Sequence, residues 1–480
     1  MKIALVNHNY CTQSDPNITY IPLGLAYIAA VLRKSGRHEV RIIDAAAYNL
    51  NDEQVERLLV KFGADIVGVG AATEVLESAI RVCKVAKKNS MISVIGGPHA
   101  TISPLETLAF DEVDFVVIGE GEYTLLELAD AIEQKKELKK VKGIMFKKKK
   151  GKKIEFVRTK PRELIKNLDD LPYPAIDMFP WKRYPAHTSF VRNLPCIQMI
   201  TSRGCPFKCT FCGSSALWGG CRSRSAKSVV DEMEYLVKKF GFREIYIMDD
   251  TFNTDLKRAE EICDGIIKRK LNISIRIQAR VYPMNRALLR KMKKAGIYCI
   301  YYGVESGNQE VLNDIKKGIT LEQIKNAFKM TREAGIRTFA FFMIGLPKDT
   351  KKTIQDTFNL VMEIEPDFVN FTILVPYPGT QVYELAIREG SLERVKPKEI
   401  FRVPLYKNKN LDEAYLRKKM FTIYKKFYMR PSYLLKRLVR LRTFTELKTN
   451  IISGLPFFQR KNPFNVKGRW IIPEDKKKQN

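Results

Sequence analysis

The chain has 480 residues, 45% of them hydrophobic and 28% charged, which excludes a disordered, collagen-like or low-complexity polypeptide and is too long for one hydrophobic core. Its formal net charge of +30 disfavours a cationic partner and leaves nucleic acid, an anionic membrane or an acidic protein. The longest apolar stretch, Tyr20 to Leu32, falls short of the roughly 20 residues a membrane-crossing helix needs, and no signal-type segment opens the chain, so a cytoplasmic protein is expected.

Over residues 1–135, expected to be the first domain, short apolar strands alternate with helical stretches. The segments "KIALVNHN", "EVRIIDA", "DIVGVGAA", "MISVIGG" and "VDFVVIGEGE" read as five buried strands. Helices are expected near Leu23 to Lys34, Asp52 to Phe62, Val75 to Lys88 and Glu122 to Gln134. This alternation predicts a flavodoxin-like, doubly wound parallel sheet, a fold that binds ligands at the carboxyl ends of its strands. Glycines cluster there, at Gly68 and Gly70, Gly96 and Gly97, Gly119 and Gly121, so backbone can approach a large flat ligand closely.

Residues 136–195 change character and read as linker or strap: a lysine run at Lys147 to Lys150 with Lys152 and Lys153, a hairpin around Gly151, then the proline-rich "DDLPYPAIDMFP". The lysines read as a solvated hairpin tip. From Cys196 a second series begins, with strands at "CIQMITS", "REIYIMDD", "ISIRIQAR", "IYCIYYGVES", "IRTFAFFMIGLP" and "DFVNFTILVPYPG". Helices near Ala226 to Lys239, Asp255 to Lys270, Asn285 to Ala295, Leu321 to Ala334 and Lys352 to Ile364 separate them. Six βα-type units over residues 196–380 predict a TIM-like, partial barrel whose chemistry belongs at the strand C-terminal ends. Residues 381–480 turn helical and basic, with aromatic and aliphatic residues at helical spacing beside Arg430, Lys436, Arg437, Arg440 and Arg442. They read as a helical cap over the barrel or as a basic amphipathic surface for membrane lipid or a lipid-like substrate, with a frayed end at "EDKKKQN".

Nine cysteines are an odd number without framework spacing, as in a reducing compartment. One cluster stands out: Cys205, Cys209 and Cys212 in "SRGCPFKCTFCGSS", directly after the first barrel strand. Each thiolate can hold one iron of a cubane iron-sulfur cluster, which usually takes four cysteines. The fourth local ligand is missing. Cys221 could serve, but an open iron at a barrel mouth suits a catalytic site. The competing reading is a zinc site completed by His99, His187 or Cys221.

CxxxCxxC at this place resembles the radical S-adenosylmethionine (SAM) superfamily. The resemblance implies a [4Fe-4S] cluster whose open iron chelates the amino and carboxylate groups of SAM. An electron from the cluster then releases a 5′-deoxyadenosyl radical that abstracts hydrogen from an unactivated C–H bond, while the protein orients the reactants and excludes water. It further implies that Asp249 and Asp250 of "MDDTF" face the SAM ammonium, and that Gln278 and Arg280 of "QAR" bond its carboxylate or ribose. Glu305 of "GVESG" would take the amino group or ribose, and Gly345 of "MIGLP" would let adenine lie against backbone. Any one of these carboxylates could be an ordinary ion pair; the ordered set carries the likeness.

The front segment, through "IPLGLAYIAAVLRKSG", "GGPHAT" and "GEGE", resembles the cobalamin-binding domain that precedes the barrel in a radical SAM subfamily. That implies backbone contacts to cobalamin from Ala71, Ala72, Thr73, Gly96, Gly97, Gly119 and Gly121. The Asp-x-His-x-x-Gly motif that gives cobalt a histidine is absent from "NHNYCTQSDPNITY", and His8 lacks its spacing, so histidine ligation is not expected. An empty sheet domain is the alternative. With cobalamin, the implied reaction is methyl transfer to an unactivated carbon or a phosphinate phosphorus. The tail "FYMRPSYLLKRL" resembles the tetrapyrrole-cyclase and hopanoid-enzyme branch, which admits oxidative cyclisation instead. RNA methylthiolation would need a third front-domain cysteine beside Cys11 and Cys83, and a redox or cobalamin sensor would need no SAM pocket. The expected partners are a ferredoxin or flavodoxin electron donor, a small-molecule, lipid-like substrate and a peripheral membrane contact, without nucleic acid; activity should demand anaerobic conditions. Tyr301, Tyr302 and Tyr377 either line the cavity or pack as aromatic core.

Overall fold

The computed structural model describes residues 1–9, 20–151, 153–184, 191–392, 406–439 and 447. Cys11, Lys152, His187, Arg440, Arg442 and the closing "EDKKKQN" lie outside the described residues.

The five front strands form as expected: β1 (Lys2–Asn7), β2 (Glu39–Asp44), β3 (Ile66–Gly70), β4 (Ile92–Gly96) and β5 (Phe115–Val117). They are parallel, in the order β2-β1-β3-β4-β5. Local chemistry sets the helices between them. Helix Asp52–Phe62 starts in a capping box in which Asn51 accepts from the Gln54 N–H and the Gln54 side chain accepts in return. It ends at Gly63, whose φ of +67° closes the last turn, and it buries Val55, Leu59 and Phe62. The hairpin around Gly151 extends this sheet: β6 (Ile144–Lys150) and β7 (Lys153–Arg158) add antiparallel beyond β5, with Phe146 opposite Phe115. Because β6 runs against β5, the lysine-rich tip lies at the end of the sheet opposite the carboxyl ends of β1 to β5.

The second half is an open, all-parallel, six-stranded partial barrel. It comprises β8 (Cys196–Met199), then, after the short antiparallel pair β9 (Ser202–Arg203) and β10 (Arg222–Ser223), the strands β11 (Glu244–Ile247), β12 (Ser274–Ala279), β13 (Ile297–Glu305), β14 (Arg337–Ile344) and β15 (Phe368–Ile373). The order is β15-β14-β13-β12-β11-β8. Side chains alternate across it. Ile245, Ile247, Ile275 and Ile277 join the large core under the helices, while Tyr246, Tyr301, Phe339 and Phe368 form a separate cluster in the lumen. The Tyr301 and Phe339 rings stack with centroids 4.7 Å apart, and Tyr302 points outward, its hydroxyl 2.9 Å from Thr331 Oγ1, so both tyrosines are core packing. A fully buried ion pair, Arg276 Nε to Glu244 Oε1 at 2.7 Å, lies among them. The front half plugs this lumen: the Tyr20 ring comes within 6.1 Å of Tyr246, and Gln198 Nε2 donates to the Ile21 carbonyl.

An open barrel leaves β15 with unpaired backbone groups. Helices Glu413–Tyr428 and Pro431–Val439 cover that edge with tyrosine hydroxyls. Tyr424 Oη accepts the Phe371 N–H at 2.7 Å, Tyr428 Oη lies 3.0 Å from both the N and O of Val369, and Tyr433 Oη donates to the Asp367 carbonyl at 2.9 Å. The described part of the tail is thus a cap on the barrel. Among the described residues no helix is long and apolar enough to cross a membrane.

Candidate active site

The cysteine loop runs between β9 and β10 and is pinned at several points. Gly204 has φ +83°, and a Cβ there would overlap the Gly220 carbonyl oxygen, so only glycine permits this turn into Cys205. The Cys209 carbonyl accepts the Cys212 N–H at 3.1 Å, and Thr210 is tied through N to Ile315 O and through O to Val382 N, both at 3.0 Å. Phe207 lies under the Arg280 guanidinium, 3.6 Å from ring centroid to Cζ. Thr251 Oγ1 approaches Cys205 Sγ at 3.5 Å, and the Ser214 N–H donates to Cys212 Sγ at the same distance. Burial pushes the Cys212 thiol up to about 11, with Asp250, Cys209 and Cys205 acting in the same direction, so ligation there releases a proton near neutral pH. No three His, Cys, Asp or Glu side chains among the described residues form a group that could hold a single metal ion. His99, one of the residues considered for zinc, is held on the front sheet with Nδ1 3.0 Å from Thr73 Oγ1. Three thiolates on one short pinned loop fit a cubane, which asks for one thiolate per iron.

The expected barrel-mouth residues separate into two groups. Asp249 is buried and fully used by the loop: it accepts from the Thr201 N–H at 2.6 Å, the Ser202 N–H at 3.0 Å and the Thr201 hydroxyl. Asp250 instead lines the cavity below the loop, with one oxygen taken by Ser214 Oγ at 2.6 Å; burial raises its pKa. Gln278 reaches into the lumen and donates to Tyr246 Oη at 2.8 Å. Arg280 donates from Nη2 to the Lys317 carbonyl, and its buried Nε has no partner. Glu305, at φ +70°, pairs with Lys317 Nζ at 2.7 Å; a Cβ on Gly303 would strike both groups. Gly345 has φ +79°, and the place of its missing Cβ lies 3.0 Å from Leu416 of the capping helix.

Below the loop a cavity of about 490 Å³ separates barrel from front sheet. Its front wall is the expected glycine edge, with Ala71, Ala72, Gly96, Gly97, Gly119 and Gly121; Asp250, Ser202, Gly204 and Trp218 face it from the barrel. At Gly24 and Gly119 an added Cβ would meet nothing within 4 Å, so both open onto the cavity, and at Gly97, φ +96°, an added Cβ would lie 3.0 Å from the backbone N and O of Ala71. A floor of glycine backbone beside apolar residues such as Leu25, Ile28 and Val117 fits a flat macrocycle. Thr73 is not among the lining residues. His8 has both ring nitrogens engaged, Nε2 at 3.0 Å from the Gly70 carbonyl and Nδ1 at 2.8 Å from Ser78 Oγ, and burial lowers its pKa to about 4.

Sequence reasoning passed over Glu120, Glu122 and Arg203, which also line this cavity and pair across it at 2.6 and 2.5 Å. "GEGE" was notable for its glycines; that two acids at a buried strand end need a base, and that "SR" precedes the cysteines, was the available signal.

Residues 199–361 match the Radical SAM superfamily and residues 17–129 the B12 binding domain. An uncharacterized methyltransferase of Pyrococcus horikoshii is 36% identical over 421 residues, spanning 86% of this chain and 89% of that protein. The anaerobic magnesium-protoporphyrin IX monomethyl ester cyclase of Rubrivivax gelatinosus is 29% identical over 448 residues, 90% of this chain and 78% of the cyclase. The solved structure of the cobalamin-dependent SAM radical enzyme OxsB, with aqua-cobalamin and SAM bound, matches the fold with a TM-score of 0.75 at 19% identity, over 95% of this chain and 71% of OxsB. The chain belongs to the radical SAM superfamily, in the branch that carries a B12-binding domain. It is an enzyme of that class, and its cofactors are a [4Fe-4S] cluster, SAM and cobalamin.

Proposed function

We propose that this enzyme transfers a methyl group to an unactivated carbon of a small molecule. One observation carries the reading: residues that flank the cysteine loop, Arg203, Gly204, Leu217 and Trp218, line the same cavity as the glycine floor. When bound, the cluster and SAM supply hydrogen abstraction from carbon, and cobalamin supplies the methyl group. The chain's own residues bind and orient. Asp250 has an oxygen free for the SAM ammonium, and the partnerless Nε of Arg280 suits the SAM carboxylate, since a buried donor without an acceptor costs about 1–3 kcal/mol. Asp249, Gln278 and Glu305 hold the loop and mouth in shape, and Gly345 would offer adenine backbone only, the side of its missing Cβ being filled by Leu416. Tyr20 and the aromatic lumen keep water out from below.

Oxidative cyclisation is the second reading, favoured by the cyclase relative that aligns over 90% of this chain. Anaerobic reconstitution with cluster, cobalamin, SAM and cell extract separates the two. Methylation yields 5′-deoxyadenosine together with S-adenosylhomocysteine, cyclisation yields 5′-deoxyadenosine alone, and absence of both sinks the proposal.

An acidic ferredoxin or flavodoxin suits the charge of +30 and should dissociate with salt. The lysine hairpin tip, at the far end of the front sheet, is badly placed to receive it. Exposed Leu434 and Leu435 beside Lys436 support contact with a lipid surface or lipid-like substrate. Flotation with anionic liposomes tests this: Leu434→Glu with Leu435→Glu should abolish retention, and equal retention refutes the contact.

A further inference from the structure

A buried ion cluster at the domain junction is unused by this scheme. Glu120 and Glu122 flank Gly121 on the front side, and Arg203 stands two residues before Cys205. Arg203 Nη1 lies 2.6 Å from Glu120 Oε1, and Nη2 lies 2.5 Å from Glu122 Oε1. Arg222, opposite Arg203 in the β9–β10 pair, brings Nη1 to 3.1 and 3.0 Å from the two Glu120 oxygens and to 2.6 Å from the Ile165 carbonyl. Glu120 Oε2 also accepts the Ile165 N–H at 2.7 Å. Side-chain exposure is 9% for Arg203, 2% for Glu120 and 5% for Glu122, and two cations balance two anions.

Stability alone is a poor account of this cluster, because desolvating four charges costs about as much as their attraction returns, and apolar residues would hold the junction as well. What apolar contacts would not supply is register. A guanidinium fork bonded to two carboxylates admits one geometry, and its attachments are stiff at both ends. Gly204 fixes the step from Arg203 to Cys205, while Gly119, at φ +82°, and Gly121, whose Cβ would lie 3.1 Å from Ile28, fix the floor beside the glutamates. Another junction contact, Tyr377 Oη donating to Glu74, joins one neutral donor to an exposed acid and lacks this constraint.

We propose that Arg203, with Glu120, Glu122 and Arg222, is a positioning clamp that sets the spacing between the cobalamin floor and the cluster loop. The role in catalysis rests on the cofactor reading above; the mechanical link does not. In the metal-free full-length chain, hydrogen exchange at residues 119–122 and 202–205 should rise together, by roughly tenfold, in Arg203→Lys and in Glu122→Gln, with the core strands of both halves unchanged. A rise in one segment without the other overturns the link, and Glu122→Gln decides it if Arg203→Lys does not fold. In the chain loaded anaerobically, magnetic coupling between the reduced cluster and cob(II)alamin, read by pulsed EPR, gives their separation. Both variants should retain both signals, with a distance distribution broader than that of the parent. Arg203→Lys keeps the charge and loses the fork, so a merely structural or charge-balancing role predicts a lower melting temperature with an unchanged distribution. That result overturns the clamp.

Discussion

At the carboxyl edge of the front sheet, Gly24, Gly97, Gly119 and Gly121 make a surface by withholding side chains. Asp250 faces it across the cavity, and behind it the barrel mouth is crowded with Asp249, Arg280, Glu305 and Lys317, most of them bonded to one another or to the loop. In the function proposed above, one wall recognises by shape and the other by charge. The first should fail when atoms are added, the second when they are removed.

The largest effect is expected at the loop. Cys205→Ala, Cys209→Ala or Cys212→Ala should each abolish cluster absorbance and 5′-deoxyadenosine formation, while cobalamin titration, reporting the opposite wall, stays unchanged. Loss of cobalamin binding in these variants would mean that the walls do not act separately. Next, Gly24→Phe adds a ring to the floor at a position with no positive φ and open space ahead. Cobalamin affinity should fall by about a thousandfold, or 4 kcal/mol, with the cluster retained; an unchanged titration places the cofactor elsewhere.

Acid should act on the two halves with opposite sign. Burial lowers His8 and His99 on the front sheet from 6.5 to about 4, so the unfolded chain binds protons first. Stability present above pH 6.5 is then lost as pH falls towards 4, by about 3 kcal/mol for each imidazole. Beyond β14, burial raises Asp349 from 3.8 to about 6 despite bonds from Leu346 N and Thr353 Oγ1. Its contribution is full below 3.8 and is lost as pH rises through 6, again by about 3 kcal/mol. Hydrogen exchange between pH 6.5 and 4.5 should therefore show the front sheet loosening while the β14 end tightens. Asp349→Asn should flatten the second trend alone.

Much of this architecture was legible because its signals are local. The alternation of apolar runs gave both sheets, Asn51 and Gly63 bounded a helix to the residue, and three cysteines within eight positions marked the loop. The division of labour between Asp249 and Asp250 was also accessible in principle: alternation from Glu244 through Tyr246 turns residue 250 towards the mouth and 249 towards the loop. Contacts between distant segments were not accessible. The two acids of "GEGE" ask for a base, but nothing near Glu120 singles out Arg203, 83 residues away, and nothing near Tyr20 announces a barrel lumen. The hairpin was visible around Gly151, but its pairing with β5 depends on an edge that only the folded sheet presents.

The smallest effect tests the barrel's other boundary, far from both walls. Tyr424 and Tyr428 stand one helical turn apart, so one face of their helix delivers two hydroxyls to alternate residues of β15, Phe371 and Val369. Replacing either by Phe keeps the ring packing and removes only the hydroxyl, leaving an edge N–H without its acceptor. Tyr424→Phe should cost about 2 kcal/mol because that hydroxyl is buried, and Tyr428→Phe about 1 kcal/mol because water can reach the half-buried site and take the bond over. Denaturant melts of the two variants, with cluster and cobalamin content unchanged, would establish that the cap serves the barrel edge and leaves the cavity alone. Equal costs would show that burial does not distinguish the two hydroxyls, and loss of either cofactor would tie the cap to the site.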